Sequence, residues 1–418
     1  MKLVKLSLAA AIAASTLVSS ASAVALEEAI KDVDLSGMAF VRYQNAKRSG
    51  EVGDGNWWKF KSVLTLKTKI DDNFFMLAGF QYGADKDLGS SGDILKADGT
   101  VKEANDGFDT DTFKVTQALL GYNIGGTTVM VGRYNIGAFF TDDMLGDGIK
   151  VVNTDVQGLT LAALWADALQ NDGDVLDGKT GAVRGLIKER TGRDVLSHNL
   201  YGVAAIGSYD PLAFQIWYAS LQDVANLFAI EAGLNFNITD DITLGVTGQY
   251  AFTDMDGDLK EKVPEAADSK FAAGKAEFGA FGFDLGAGYV YYKAKDGKYS
   301  LSSLDDNGQF IAAGQVMVPD SGVSSYHAYA GKNDYWFVTA GYKIPNTGIS
   351  FGAEYVDGKF NKGNTVGVEE FKAKEIVGRL GYKYNKKLNF TSWYSYIDYD
   401  PEKMVDDKTF RVQAQYKF

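Results

Sequence analysis

The sequence has 418 residues, a formal net charge of −12 at pH 7 and no cysteine. The acidic balance argues against binding to nucleic acid or to anionic membrane surfaces, and the lack of cysteine excludes a disulfide framework. The chain contains 23 Tyr, 25 Phe and 47 Gly but only 5 Pro. This composition is typical of a transmembrane β-barrel, whose aromatic side chains form girdles at both membrane interfaces.

The first 23 residues have the layout of a secretory signal peptide. Lys2 and Lys5 form a basic start, an apolar run follows at 6–18, and small residues lead to Ala23. The run is shorter than the ~20 apolar residues that a membrane-spanning helix needs. We expect cleavage after Ala23, although Ala25 also fits the pattern, and we expect 24–418 to form a single domain.

Stretches of about ten residues in which every second side chain is apolar recur along the chain. In one example, Ile242, Leu244 and Val246 alternate with Thr243 and Thr247. This period of two predicts an all-β fold of 18 strands, with 16 as the alternative because the alternation is blurred over 113–166. The predicted strands are 33–43, 57–70, 74–82, 113–124, 127–135, 149–153, 159–166, 199–209, 212–221, 227–238, 242–253, 270–278, 283–293, 334–344, 349–358, 371–384, 388–398 and 408–418.

Short and long connections alternate between these strands. Clusters of Gly, Asn, Asp and Pro mark tight turns, for example at 71–73 and 239–241, while long polar stretches lie at 83–112, 167–198 and 294–333. This order predicts an up-and-down antiparallel barrel with short periplasmic turns and long outer loops. The last strand should pair with the first, because a sheet in lipid must close. A soluble β-sandwich would show the same alternation, but the export signal and the strand number favour the barrel.

Three segments resemble the Campylobacter-type major outer membrane protein, a porin family. They are LEEAIKDVDLSG at 26–37, GIKVVNTDVQGLTLAAL at 148–164 and the final YKF. The likeness extends over the full length, including the signal, the strand pattern and the position of a mid-chain loop. The resemblance implies an 18-stranded trimeric channel of the bacterial outer membrane that passes small hydrophilic solutes and prefers cations.

The segment RYNIGAFFTDDMLGDGIK at 133–150 contains the candidate pore constriction. It follows the fifth predicted strand, where general porins fold a loop inward, and we expect the inward part at about 136–148. Its glycines would let the backbone bend, and Phe139 and Phe140 would anchor it on the inner wall. An ordinary solvated acidic loop is the alternative. The carboxylates expected in the pore are Asp142, Asp143 and Asp147.

A basic wall is expected opposite this loop. In WWKFKSVLTLKTKI at 57–70, lysines alternate with Trp, Phe and Leu. These lysines should point inward, because a lysine that faces lipid at the bilayer midplane costs about 2–4 kcal/mol. Lys59 and Lys61 are the pore candidates, and Arg42 and Arg133 are expected to join them. Solvation of the interior without selectivity is the alternative.

Five further carboxylates fall on the inward face of predicted strands. Together with the acidic net charge they would make the lumen potential negative and raise the local cation concentration. The predicted function is a general diffusion porin with cation preference. The alternatives are a surface-binding protein that uses the barrel as an anchor and a substrate-specific channel. The five lumen carboxylates are Glu231, Glu277, Asp284, Glu354 and Glu375.

The remaining expectations concern chemistry and partners. The chain has two histidines and neither a G-x-S-x-G nor an H-E-x-x-H motif, so we expect no catalytic site. No cofactor is required, although the resemblance hints at calcium near the constriction with Asp142, Asp143 and Asp147 as ligands. Phe418 is expected to be a signal for the outer-membrane assembly machinery. Other expected partners are copies of the chain in a homotrimer, outer-membrane lipid and lipopolysaccharide.

Overall fold

A computed structural model describes residues 33–48, 55–87, 94–95, 101–102, 110–170, 182–305, 307–317, 331–361, 370–400 and 406–418. The predicted signal peptide lies outside these ranges. No helix in the described ranges has the length and hydropathy to cross a membrane.

The predicted 18-stranded antiparallel barrel is confirmed. Each barrel strand pairs with the next one along the chain, and the first pairs with the last. The barrel strands are β1 (Val33–Arg48), β2 (Gly55–Lys69), β3 (Phe74–Asp87), β6 (Thr110–Ile124), β7 (Thr127–Asn135), β8 (Leu145–Asn153), β9 (Leu159–Gln170), β10 (Leu200–Tyr209), β11 (Leu212–Leu221), β12 (Ala225–Asn237), β13 (Ile242–Met255), β14 (Ser269–Ala280), β15 (Phe283–Ala294), β16 (Lys332–Lys343), β17 (Ile349–Phe360), β18 (Phe371–Lys383), β19 (Leu388–Asp400) and β20 (Asp407–Lys417).

Short elements lie in the connections at one end of the barrel. A two-stranded hairpin, β4 (Ile94–Leu95) with β5 (Val101–Lys102), lies between β3 and β6. Helix α1 (Ala182–Thr191) and a 3-10 turn (Val195–Ser197) lie between β9 and β10, helix α2 (Gly257–Lys262) lies between β13 and β14, and a second 3-10 turn (Lys295–Gly297) follows β15. The periodicity argument did not predict these elements, because it was applied only to alternating stretches.

The barrel closes where the sequence predicted, between β1 and β20. Their register runs from Met38 opposite Lys417 to Arg48 opposite Asp407. The backbone N–H of Gly37 donates to the carbonyl of Phe418, and the N–H of Phe418 donates back to Gly37, both at 3.1 Å. A side chain at Gly37 would collide first with the backbone carbonyl oxygen of Val63 and also with the Phe418 ring, from which its Cβ would lie 2.9 Å. Closure leaves no edge strand with unpaired backbone groups in the bilayer.

A β-bulge in β6 contributes to the blurred alternation over 113–166. The register between β3 and β6 shifts at Gly79/Phe80, so that Thr116 of β6 is the extra residue. The extra residue changes the parity of the apolar positions after it. A second register shift, between β8 and β9 at Asp147/Gly148, makes Asp167 of β9 the extra residue, just beyond this range. Strand β8 also begins at Leu145, four residues before its predicted start.

Barrel closure generates a prediction about Phe418. Deletion of Phe418 removes both backbone hydrogen bonds to Gly37, and unpaired backbone groups in lipid cost several kcal/mol each. We expect a lower melting temperature of the purified barrel and a lower yield in the outer membrane, measured by heat-modifiable migration on gels.

The variant Phe418→Ala separates closure from the predicted assembly signal, since it keeps the backbone and loses only the ring. It should retain most of the thermal stability in detergent but lose yield in cells. Normal yield for the deletion would contradict both roles, and normal yield for Phe418→Ala alone would remove the signal role.

Candidate pore constriction

The loop between β7 and β8 folds against the inner wall and is shorter than predicted, because it ends where β8 begins at Leu145. The backbone N–H of Ile136 donates to the carbonyl of Met144 (2.9 Å), which closes the loop at 136–144. Gly137 has φ +60°, a left-handed conformation that favours glycine. The loop buries its apolar side chains and leaves Asp142 and Asp143 exposed. Among the buried residues are Ile136, Ala138, Phe139, Phe140 and Met144.

Aromatic contacts hold this loop, as the sequence predicted for Phe139 and Phe140, but the contact with the barrel wall runs through the ring of Phe310. The Phe139 ring lies 4.9 Å from the Phe310 ring, centroid to centroid, and Phe310 lies 4.6 Å from Phe271 on strand β14. Buried Lys150 on β8 also holds the loop, because its Nζ donates to the carbonyl oxygen of Ile136 at 2.8 Å. The loop is thus packed on the wall by a chain of rings and tied to it by a lysine.

A second inward segment, formed by 299–305 and 307–317, lies beside the first loop. Its backbone joins the first loop directly: the N–H of Leu304 donates to Phe140 (2.7 Å) and that of Gln309 to Phe139 (2.8 Å). Sequence reasoning placed these residues in the outer loop at 294–333. The overlooked signal was FIAAGQVM at 310–317, an unusually apolar run for a solvated loop. This segment covers part of the inner wall and narrows the lumen from a second side.

The end of the second inward segment wraps around the carboxylate of Glu375 on β18. The backbone N–H groups of Gln315 (2.9 Å), Val316 (2.9 Å) and Met317 (3.0 Å) all donate to this carboxylate, and the Ser395 hydroxyl donates at 2.6 Å. Three successive amides around one anion form a backbone anion-binding nest. The Glu375 side chain is fully buried. It is therefore an anchor of the segment and contributes no exposed charge to the lumen.

The middle of the second inward segment is anchored by amide side chains of β11 and β13. Gln249 donates from Nε2 to the carbonyl of Gln309 (2.9 Å) and accepts from the N–H of Ile311 (2.7 Å). Gln215 donates to the Gln309 side chain (3.0 Å) and to Glu231 (2.9 Å), and Gln249 also donates to Glu231. The predicted lumen carboxylate Glu231 is thus part of a hydrogen-bond network that positions the segment.

The basic wall lies on β1, β2 and β20, with its polar side chains on the inward face. Arg42 donates to Gln413 at 2.7 Å, and Arg411 donates to Gln44, so the two arginines brace the seam between β1 and β20. Arg411 belongs to this wall although it was not among the predicted wall residues. Lys59 lies opposite Arg42 in the β1–β2 register.

The first inward loop meets the basic wall at Lys61. Lys61 Nζ lies 3.7 Å from the Asp143 carboxylate. The Lys61 side chain is only 5% exposed, whereas that of Asp143 is 55% exposed. The structure thus brings Asp143 of the first inward loop into an ion pair with the predicted wall, with the carboxylate open to solvent and the lysine side chain covered.

Two predicted pore residues, Arg133 and Asp147, face the outside of the barrel, so their assignment to the pore is wrong. They lie directly opposite each other on β7 and β8 and form a two-pronged ion pair at 2.8 and 2.7 Å. They share the strand faces of Val131 and Ile149, which are exposed, while Tyr134 and Lys150 face the packed interior. Mutual neutralisation lets this pair occupy the outer face, where a lone charge would be costly.

The other three predicted lumen carboxylates lie on the inward face and are paired with bases. Glu277 lies 2.9 Å from Lys275, Asp284 lies 2.6 Å from Lys343, and Glu354 lies 2.7 Å from Arg379. These ion pairs reduce the contribution of the three groups to the lumen potential.

The predicted calcium ligands do not form one donor set. Asp142 and Asp143 are in the first inward loop, while Asp147 is on the outer face and is bound by Arg133. No group of three or more acidic or histidine side chains suited to a metal ion occurs within the described ranges. Asp142, Asp143 and Asp147 therefore do not fit calcium as a set.

The Glu375 anchor generates a prediction. In Glu375→Gln, one carboxylate oxygen becomes an NH2 group that faces backbone N–H groups, and hydrogen bonds to charged groups are worth about 1.5–3 kcal/mol. We expect the second inward segment to loosen, with a lower melting temperature and a larger, noisier single-channel conductance in planar bilayers.

The matched control is Glu277→Gln, which removes the same charge from an inward but exposed side chain paired with Lys275. It should leave conductance noise unchanged. Identical recordings for the two variants would show that Glu375 does not hold the segment.

Comparisons with known proteins agree with this architecture. The sequence matches the family described as Campylobacter major outer membrane protein over residues 1–418. No curated protein sequence matches the chain. Similar solved structures include Pseudomonas aeruginosa OccK5 (OpdH), with a TM-score of 0.67, 15% identity and coverage of 93% of this chain and 98% of the other. Pseudomonas aeruginosa OccK9 (OpdG) has a TM-score of 0.67 and 16% identity, with coverage of 93% of this chain and 99% of the other. Acinetobacter baumannii OccAB3 has a TM-score of 0.65 and 14% identity, with coverage of 92% of this chain and 100% of the other. These low identities show a shared fold, whereas the full-length match shows that the chain belongs to the Campylobacter major outer membrane protein family and is a β-barrel of the outer membrane.

Proposed function

We propose that this barrel is a general diffusion porin for small hydrophilic solutes and that it prefers cations. Barrels of 16 to 18 strands enclose an aqueous channel, whereas those of 8 strands are filled by side chains. Selectivity then depends on the charges that remain accessible where inward segments narrow the lumen. Family membership, strand number and the two inward segments support the channel part of this proposal.

The observation that carries the cation preference is the difference in exposure between Asp143 and Lys61. Their charges are close, but the carboxylate is more than half exposed and the lysine is almost covered. At this point the carboxylates of Asp142 and Asp143 are exposed, whereas the wall lysines Lys59 and Lys61 are buried. A lumen lined by accessible negative charge attracts cations and repels anions.

We also propose the homotrimer that the family resemblance implies. Contact with lipopolysaccharide and delivery by the outer-membrane assembly machinery, which the sequence analysis expected on other grounds, are further proposals consistent with an outer-membrane barrel. The surface-binding alternative differs in its expected readout, since a barrel that serves only as an anchor need not conduct. Stepwise conductance of the purified protein would therefore separate the two functions.

The double variant Asp142→Asn/Asp143→Asn tests the proposed selectivity. It removes two exposed carboxylates from the first inward loop without changing side-chain shape. We expect the permeability ratio of potassium to chloride, obtained from reversal potentials in a salt gradient, to fall toward one.

The matched control is Asp240→Asn/Asp241→Asn, which removes the same charge from an exposed turn between β12 and β13. It should leave the ratio unchanged. An unaltered ratio in the loop variant would remove Asp142 and Asp143 from the selectivity site, and anion preference of the unmodified protein would contradict the proposal.

A further inference from the structure

Three lysines form a row on the outer face of the barrel, at the end that carries the longer connections. Lys270 on β14 lies directly opposite Lys293 on β15, and Lys293 lies directly opposite Lys332 on β16. All three side chains are exposed. Adjacent strands are about 4.8 Å apart, and like charges directly opposite each other are destabilising. An anion that lies against such a row would relieve this repulsion.

The nearby carboxylates do not neutralise the whole row. Lys332 lies 3.0 Å from Asp334. Asp268 lies 2.9 Å from Lys260 of helix α2, which also lies 3.8 Å from Asp254. Within the part of the chain that the structure describes, no salt bridge is recorded for Lys270 or Lys293. The row therefore carries an excess of positive charge.

An aromatic recess of about 670 Å³ adjoins the row. Its walls include the rings of Tyr250, Phe252 and Tyr291, and its border carries the basic groups Lys270, Lys293 and Lys295. Asp254 and Asp268 also line it, and both carboxylates lie within 4 Å of Lys260. Lys332 Nζ lies 5.7 Å from the centre of the Tyr291 ring. Phe252 lies opposite Lys270 in the β13–β14 register, so that the aromatic and cationic groups are contiguous. The site thus offers apolar surface next to phosphate-binding ammonium groups.

The position of the site identifies the kind of ligand. The long-loop end of an outer-membrane barrel faces the cell exterior, and aromatic girdles mark the membrane interface. A lipid at this level lies in the outer leaflet, with its headgroup at the lysines and its acyl chains against the rings. Lysine binds phosphate as a point charge, and basic pockets on membrane proteins recognise anionic headgroups.

We propose that Lys270, Lys293 and Lys332 form a binding site for lipopolysaccharide, with its lipid phosphates on the lysine row and an acyl chain over Phe252 and Tyr291. The row is too concentrated in charge for a zwitterionic lipid. The recess gives a reason for an amphiphilic ligand rather than free phosphate. The site lies on the outer surface and is independent of the proposed conduction pathway.

The experiment compares two triple variants in phospholipid nanodiscs titrated with lipopolysaccharide. Lys270→Gln/Lys293→Gln/Lys332→Gln removes the row. The matched control, Lys359→Gln/Lys372→Gln/Lys374→Gln, removes three outward lysines from the same rim. Lys359 and Lys372 also lie opposite each other, but the β-ladder register places Asp334, Asp400, Asp357 and Asp398 beside this group. We expect the row variant to weaken the affinity at least tenfold and the control to change it less than twofold, with both barrels folded.

A second arm uses the unmodified protein with dephosphorylated lipopolysaccharide and with phosphatidylglycerol. Both should bind at least tenfold more weakly than intact lipopolysaccharide. If the two triple variants lost affinity for lipopolysaccharide equally, the proposed site would be overturned, because general surface electrostatics would explain the binding. Equal binding of phosphatidylglycerol would overturn lipopolysaccharide as the ligand, and a change of oligomeric state in the row variant without loss of lipid affinity would assign the row to a protein contact.

Discussion

The structure depends on one constraint: a backbone inside lipid must satisfy every N–H and C=O group within the protein. A strand cannot do this alone, so the sheet closes, and the pairing of β1 with β20 completes it. Once the sheet has closed, alternate side chains must face either lipid or the interior. The apolar exterior, the polar lumen and the seam braced by Arg42 and Arg411 follow from this closure.

An 18-stranded barrel encloses more space than wall side chains can fill, and the chain uses its own connections to narrow that space. The two inward segments are held by a few buried polar groups together with ring packing. Glu375 binds three backbone amides and Gln249 binds two backbone groups of the second segment. Fully satisfied polar networks specify one arrangement, because any shift leaves a buried group unpaired.

The influence of a charged side chain in this barrel depends on its exposure and its partners, and the number of charges alone does not describe it. Glu354, Asp284 and Glu277 face inward, but each has a basic partner. Asp143 also has a basic neighbour, yet the carboxylate is open and the lysine is covered. On the outer face, the Arg133–Asp147 pair is neutral as a unit, whereas the row of Lys270, Lys293 and Lys332 carries excess charge. Counting acidic residues in the sequence cannot distinguish these cases.

The sequence by itself determined the strand number, the closure and the inward direction of Lys59, Lys61 and the five lumen carboxylates, because side-chain alternation is a local property of a strand. It failed at Arg133 and Asp147, which were assigned to the pore from their position beside the inward loop, although both lie on strands that pair regularly with each other. Only the tertiary structure decided that the second inward segment folds inward, that Glu375 is an anchor and that three lysines from different strands adjoin. Those outcomes depend on contacts between residues distant along the chain, such as Gln315 with Glu375, which no local pattern records.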